Sequence, residues 1–152
     1  MHVSIVPERP DSAVVVELIA ELEAYLVPMY PAESRHGYSV EKLLREGVAF
    51  FVMRSQAEVA GCGGVQLVGS AYGEVKRMYV RPAYRGQGLG RRMLDHLAAH
   101  TRARGLDRLR LETGIHQLEA IRLYEGYGFH RIPPFGPYRE DPLSRYYEKA
   151  LD

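Results

Sequence analysis

The stretch Met78-Tyr79-Val80-Arg81-Pro82-Ala83-Tyr84-Arg85-Gly86-Gln87-Gly88-Leu89-Gly90-Arg91-Arg92 decides how this chain is read. An apolar strand pattern runs up to Val80, Pro82 breaks it, and glycines alternate through Gly86-Gln87-Gly88-Leu89-Gly90. The period then changes, with Leu89, Met93, Leu94, Leu97 and Ala98 at helical spacing. A strand that passes through a glycine-rich turn straight into a helix aims free backbone N–H groups, and the positive end of the helix dipole, at one point. Such a point binds phosphate. Gly86, Gly88 and Gly90 let the backbone approach an anion without an intervening Cβ, and Arg85 and Arg91 stand ready to add charge-assisted contacts. No Lys-Ser or Lys-Thr follows the last glycine, so this is no Walker loop, and the glycine spacing is wrong for a dinucleotide fingerprint. Taken alone, a turn that merely joins strand to helix stays open as a reading.

Working outward, Val3 to Val6 predicts a first strand, and Asp11 or Ser12 caps a helix carrying Val15, Leu18, Ile19, Leu22 and Leu26. Pro28 ends that helix, and Tyr30 to Tyr38 reads as loop. Ser39 then caps a short helix, stopped by Gly47. Val48 to Arg54, Val59 to Val68 and Glu74 to Val80 read as three strands, joined by turns at Gln56-Ala57 and Gly69-Ser70 in an antiparallel meander. The long helix ends before Gly105. A strand over Leu106 to Thr113, a helix over Leu118 to Tyr127, and strands over Phe129 to Ile132 and Tyr146 to Leu151 complete the chain. The order β-α-α-β-β-β-α-β-α-β-β predicts one α/β (α+β) domain over residues 1–152, a central, mostly antiparallel mixed sheet flanked by helices.

A length of 152 residues suits one domain, and 46% apolar with 26% charged residues suits a globular one. The longest strongly apolar stretch, Val48 to Met53, is far short of the roughly 20 residues that span a membrane, and no signal-peptide core is present. Cys62 is the only cysteine, which excludes an internal disulfide framework and points to a reducing, cytoplasmic compartment. A net charge of +1 argues against capture of nucleic acid or lipid by bulk charge. That balance hides a segregated chain. Lys76 to Arg110 holds ten basic residues against Asp95 and Asp107, a local +8, and the remainder holds ten basic against seventeen acidic, or −7. His96 and His100 have a metal-ligand spacing but no third ligand nearby in sequence, so no metal is expected. Cys62, between Gly61 and Gly63-Gly64, reads as an inert core residue beside a bulge or a close backbone approach.

Three segments together resemble one family. Arg85-Gly86-Gln87-Gly88-Leu89-Gly90 matches R/Q-x-x-G-x-G/A, the acetyl-CoA signature of the GCN5-related N-acetyltransferases (GNAT). Glu74-Val75-Lys76-Arg77-Met78-Tyr79-Val80 is similar to that family's fourth strand. Ala120-Ile121-Arg122-Leu123-Tyr124-Glu125-Gly126-Tyr127-Gly128-Phe129 is similar to its A-x-x-L-Y-x-x-x-G-F segment. The resemblance covers about residues 72 to 132. It implies the GNAT fold and a direct acetyl transfer from acetyl-CoA to an amine.

The resemblance also assigns expected roles. The pyrophosphate would lie over the amides of Gly86, Gln87, Gly88, Leu89, Gly90 and Arg91, and the pantetheine arm would pair with Met78 and Val80 where the fourth and fifth strands splay. An N–H near Met78 or Tyr79 would hold the thioester oxygen as it gains charge, an interaction typically worth about 3 kcal/mol in acyl transfer. Tyr124 stands at the general-acid tyrosine, although without the motif it reads as a core aromatic. Glu74 stands where some members carry a general base, and a salt-bridged strand glutamate is the equal alternative. Glu112 and His116 are held in reserve. Gln117 replaces an Asn that contacts the cofactor arm in many members. The acceptor is expected between the loops Tyr30 to Tyr38 and Pro133 to Ser144, where Glu140 or Asp141 can hold an amine and Arg35 or Arg139 a carboxylate. A homodimer acting on a small amine is the resulting expectation. A CoA-binding sensor with little catalysis and a nucleic-acid-binding domain are the rivals; Tyr124 with Glu74 argues against the first, and the lack of a reading motif against the second.

Overall fold

The computed structural model describes residues 1–152 throughout. Its elements follow the expected order: β1 Val3–Pro7, α1 Ala13–Leu26, α2 Val40–Arg45, β2 Ala49–Ser55, β3 Glu58–Val68, β4 Tyr72–Val80, α3 Leu89–Ala103, β5 Arg108–Gly114, α4 Leu118–Tyr127, β6 His130–Ile132 and β7 Ser144–Ala150. Short 3-10 turns at Ala32–Ser34 and Pro82–Tyr84 interrupt the two loops that precede α2 and α3. Of the two candidate caps for α1 it is Ser12 whose Oγ accepts the Val15 N–H, at 3.2 Å. Loss of such a cap costs about 0.5–2 kcal/mol. Ser12→Ala is therefore expected to lower the unfolding free energy obtained from urea denaturation by that amount with acetyl transfer unchanged; an unmoved value would show the cap to be idle.

Two expected strands start later than the apolar pattern suggests, for one physical reason. Gly105 and Gly128 close α3 and α4 in the left-handed conformation, at φ 82° and 112°. The following N–H turns back to the helix: Leu106 to Thr101 O at 3.2 Å, and Phe129 to Tyr124 O at 3.0 Å. Leu106 and Phe129 are thus the apolar residues of helix-closing motifs, and strand pairing begins after them.

The seven strands form one sheet in the order β1-β2-β3-β4-β5-β7-β6. Every neighbouring pair is antiparallel except β4 and β5, which α3 connects as a parallel pair. Helices cover both faces. Val15, Leu18, Ile19 and Leu22 of α1 pack with Leu43 of α2 against Phe50, Val52 and Cys62. On the other face Met93, Leu94 and Leu97 of α3 pack with Tyr124 against Val65, Leu109 and Leu111.

Two features open the sheet at its centre. β4 pairs with β5 only at Gly73↔Leu109 and Glu74↔Arg110, after which the strands diverge. Opposite β3, β4 holds one extra residue, since Cys62↔Tyr79 is followed by Gly64↔Lys76. Arg77 sits in this bulge with φ at 52°, a conformation that strains a non-glycine residue. Its side chain holds it there: Nε donates to Tyr38 O at 2.8 Å, and the guanidinium pairs with Glu23 of α1. Gly61 serves the same crossing, because a Cβ there would strike the Tyr79 carbonyl, whereas Gly63 and Gly64 make room for Met93 and for Phe50 and Val48.

Candidate active site

The divergence of β4 and β5 leaves a cleft of about 270 Å³, walled by Leu22 and Tyr25 of α1, by β4, by the glycine-rich turn and by α4. Backbone direction alternates along a strand, and the Arg81 N–H bonds Ala60 O of β3. Tyr79 therefore also faces β3, and Met78 and Val80 present their N–H and C=O groups to the cleft. One acceptor there is already used, since Arg85 Nε donates to Val80 O at 2.9 Å.

At the outer end, Gly88 caps α3 with φ at 76° and no side-chain bond, and Gly86 has φ 77°. The first helical bond is Arg92 N–H to Gly88 O, so the N–H groups of Gly86, Gln87, Gly88, Leu89, Gly90 and Arg91 have no partner within the protein. Space beside Gly86 and Gly88 is open, for a Cβ there would meet nothing within 4 Å. Six unpaired donors around open space fit a diphosphate. Of the residues expected to hold the cofactor, Met78, Tyr79, Val80, Arg85, Gly86, Gly88, Leu89, Gly90, Arg91 and Gln117 line this cleft, and Gln87 offers only its backbone from an exposed position. The Gln117 amide is partly committed: its Oε1 accepts the Gly114 N–H at 3.0 Å.

Tyr124 lies at the inner end of the cleft, buried, its hydroxyl without a hydrogen bond to any protein group, its ring edge-on to Phe129 at 5.8 Å. Burial, then the Glu112 carboxylate, raise its pKa well above that of a free phenol. The hydroxyl stays protonated, so its O–H is available to donate. Leu22, Met78, Gln117 and Tyr124 also border a second, narrower cavity of about 90 Å³, so the cleft continues inward as a neck. Glu112 of β5 lines this neck, and its carboxyl accepts from Ser144 Oγ at 2.8 Å. Burial pushes the Glu112 carboxyl upward, opposed by that hydrogen bond and by His36 and Lys76.

The neck opens through Arg35, His36, Gly37, Tyr38, Lys76 and Tyr138 into an outer chamber of about 650 Å³. The two loops singled out in the sequence meet there. Phe135 fastens the second loop by packing edge-on to Tyr72 at 5.5 Å and Tyr146 at 6.2 Å. Glu74 lines this chamber rather than the cofactor cleft. Its Oε2 accepts from Lys76 Nζ at 2.8 Å and Tyr138 Oη at 2.6 Å, in buried surroundings. Desolvation lowers the Lys76 pKa and the paired Glu74 partly restores it. Neither Lys76 nor Tyr138 was singled out from the sequence; the signal was there for Lys76, two residues from Glu74 on the same strand face.

Other candidates are placed as follows. His116 is exposed, stacks on Tyr30 with centroids 5.4 Å apart, and lines none of the three cavities. Asp141 is engaged, accepting from Leu143 N at 2.9 Å and Ser34 Oγ at 3.2 Å and facing His36 Nε2 at 3.1 Å. Cys62 is buried, its thiol pushed up to about 12 by desolvation, so it carries no thiolate at neutral pH. His96 and His100 pack edge-on against Phe51, and burial lowers both pKa values.

A splayed parallel strand pair, an uncapped glycine-rich helix start and a buried tyrosine between them define a site for a phosphate-bearing acyl donor. Residues 16–129 match the model of the acetyltransferase (GNAT) family. An IAA acetyltransferase of Azospirillum brasilense is 45% identical over 151 residues, 99% of each chain. The uncharacterized N-acetyltransferase YsnE of Bacillus subtilis is 35% identical over 90% of this chain and 92% of its own. A solved protein of Klebsiella pneumoniae superposes with a TM-score of 0.84 at 38% identity, over 99% and 98% of the two chains. The fold is shared by a PaiA N-acetyltransferase of Thermoplasma acidophilum in complex with coenzyme A, with a TM-score of 0.74 at 20% identity over 99% and 100%. The chain belongs to the GNAT acetyltransferase family. Its activity is acetyl-CoA-dependent N-acetyl transfer.

Proposed function

We propose that residues 1–152 form a single catalytic domain that acetylates the amine of a small molecule, with the acceptor entering from the outer chamber and acetyl-CoA from the opposite side. The observation that carries this reading is adjacency: the cleft at Gly86 to Arg91, the narrow cavity behind Tyr124 and the chamber walled by two loops each share lining residues with the next. When bound, acetyl-CoA supplies an activated thioester. The amides of Gly86 to Arg91 would hold its phosphates, with Arg85 and Arg91 beside them, and Met78 and Val80 would receive its amide-bearing arm on the free strand edge. Of the two N–H groups expected for the thioester oxygen, that of Met78 faces the cleft and would hydrogen-bond it where charge develops, whereas that of Tyr79 faces β3. Tyr124 donates its hydroxyl proton towards the departing sulfur.

The amine must shed a proton before it attacks, and two carboxylates compete for that role. Glu74 already accepts from Lys76 and Tyr138 and faces the chamber, whereas Glu112 lies in the neck that Tyr124 also borders. This supports Glu112 as the group that meets the amine, with Glu74 as the base further out, reached through the Tyr138 hydroxyl. The IAA acetyltransferase of Azospirillum brasilense supports a small-molecule acceptor over a protein one.

A homodimer and a cytoplasmic setting belong to the same reading. The unpaired outer edges of β1 and β6 support the first, and the single buried cysteine supports the second. Sedimentation equilibrium tests the dimer; a monomer at micromolar concentration would remove it. The catalytic reading itself is tested by calorimetric titration with acetyl-CoA, followed by free-thiol release across a panel of small amines. Binding with amine-dependent release is the expected result. Binding without release from any amine would favour a CoA sensor, and no binding at millimolar acetyl-CoA would overturn the reading.

A further inference from the structure

One arginine of the neck has no counter-charge. Arg35 borders both the neck and the outer chamber, yet it forms no ion pair and its Nε is buried without any hydrogen-bond partner. The other basic side chains of the neck are answered: Lys76 by Glu74, Arg77 by Glu23 and His36 by Asp141. Lys42, over the Tyr38 ring, and the exposed Arg139 form no ion pair but line only the outer chamber. Arg110, whose Nε is likewise without a partner, lies off the path beside Glu148 and the Tyr72 ring. Of the acids around the path, Glu33 and Glu140 are exposed and form no ion pair with Arg35, and three others are bonded elsewhere. Asp141 is bonded to Ser34, His36 and Leu143, Glu74 to Lys76 and Tyr138, and Glu112 to Ser144. A guanidinium nitrogen withdrawn from water and left unpaired is costly, and the planar fork of Arg35, half-buried with its Nε in that state, is matched by a carboxylate. Within one neck there is thus one guanidinium lacking an anion and, beyond it, one carboxyl without a cation bonded to it.

We propose that the acceptor is an aminocarboxylate, an amine and a carboxylate on one small molecule, whose carboxylate is held by Arg35 where the neck meets the chamber while its amine points to Glu112 and Tyr124. This rests on the acetyl-transfer reading above. The neck, at about 90 Å³, admits the compact backbone of such a molecule, and the chamber, lined by Tyr38, Tyr72 and Tyr138, receives a side chain, aromatic ones included. A polyamine, an aminoglycoside or a peptide N-terminus would bring a second cation or a neutral amide to Arg35, and neither satisfies it. Arg35 is a binding and specificity residue; it takes no part in proton transfer.

The test uses the intact enzyme and matched pairs: the twenty L-amino acids, β-alanine and 4-aminobutyrate, each against its carboxamide, with spermidine and a tetrapeptide alongside. Thiol release gives kcat and KM, thermal shift in the presence of CoA gives acceptor binding, and calorimetry gives acetyl-CoA affinity. At least one acid is expected to exceed its carboxamide by about 30-fold or more in kcat/KM, carried by KM, as a charge-paired contact allows. Arg35→Met should erase that preference with acetyl-CoA affinity unchanged, and Arg35→Lys should restore part of it. The proposal is overturned if no acid surpasses its carboxamide in turnover or binding, if the preference survives in Arg35→Met, or if spermidine or the tetrapeptide outpaces every acid. Failure of the acetyl-transfer reading shows separately, as absence of acetyl-CoA binding in the calorimeter.

Discussion

Tyr124→Phe is expected to lower kcat for acetyl transfer by about 10²-fold or more, within the usual 10²–10⁴ of a positioned acid, while leaving acetyl-CoA affinity within about twofold. The expectation comes from position and protonation together. The hydroxyl lies where the cofactor cleft meets the neck, and it spends no hydrogen bond on the protein. Removing one oxygen leaves the ring in place against Phe129, so the fold keeps its packing. Because burial and Glu112 hold the proton on the phenol, its ionisation lies above the working range, and kcat should show no limb below pH 9 from this group. Calorimetry with acetyl-CoA and steady-state kinetics on the same preparation separate the roles. A Phe variant that turns over like the parent removes Tyr124 from catalysis, and one that loses acetyl-CoA affinity instead marks it as a structural aromatic.

The second large effect is expected at Glu112. Glu112→Gln should lower kcat/KM by about 10²-fold, whereas Glu74→Gln should cost less than a tenth of that loss. The sign of the pH dependence follows from burial. A base works only when ionised, and desolvation raises the Glu112 pKa in the folded protein, so activity is present above that raised pKa and is lost as pH falls through it. The acidic limb of kcat/KM therefore lies above the ordinary carboxylate range in the parent. In Glu112→Gln it should disappear, and in Glu74→Gln persist. The reverse pattern, with the limb lost only in Glu74→Gln, would return the base to the fourth-strand position that the sequence favoured. Both substitutions keep the size of the side chain, and Ser144 can still bond an amide at 112.

The site divides into a half that was legible in the sequence and a half that was not. The cofactor half was legible because its physics is local. Gly86 and Gly88 take positive φ at fixed spacing before α3, and the unpaired amides are consecutive in the chain. The acceptor half was opaque because its contacts are distant in sequence. Tyr138 reaches Glu74 across 64 residues, and the two loops expected to form the chamber are joined by Ser34 and Asp141 across 107. Sequence reasoning offered Glu140 or Asp141 as an amine binder and Arg35 or Arg139 as a carboxylate binder on equal terms; only the fold shows Asp141 engaged, Glu140 and Arg139 exposed, and the Arg35 Nε buried without a partner.

Charge teaches the same lesson. The basic excess between Lys76 and Arg110 is a local +8 in the segment that contains the glycine-rich turn. In the fold, Lys76, Arg77, Arg81, Arg85, Arg108 and Arg110 each lie within ion-pair distance of a glutamate. The arginines left without a pair, Arg91, Arg92, Arg102 and Arg104, belong to α3 and its end, and Arg91 alone among them lines the cleft. Sequence by itself determined the element order, the phosphate turn and the candidate acid, since capping, hydrophobic period and glycine conformation act over a few residues. Tertiary structure decided which carboxylate lies in the neck beside Tyr124 and which arginine of that neck lacks an ion pair, because a charge is neutralised by whatever packing brings within a few ångströms, however far away it lies along the chain.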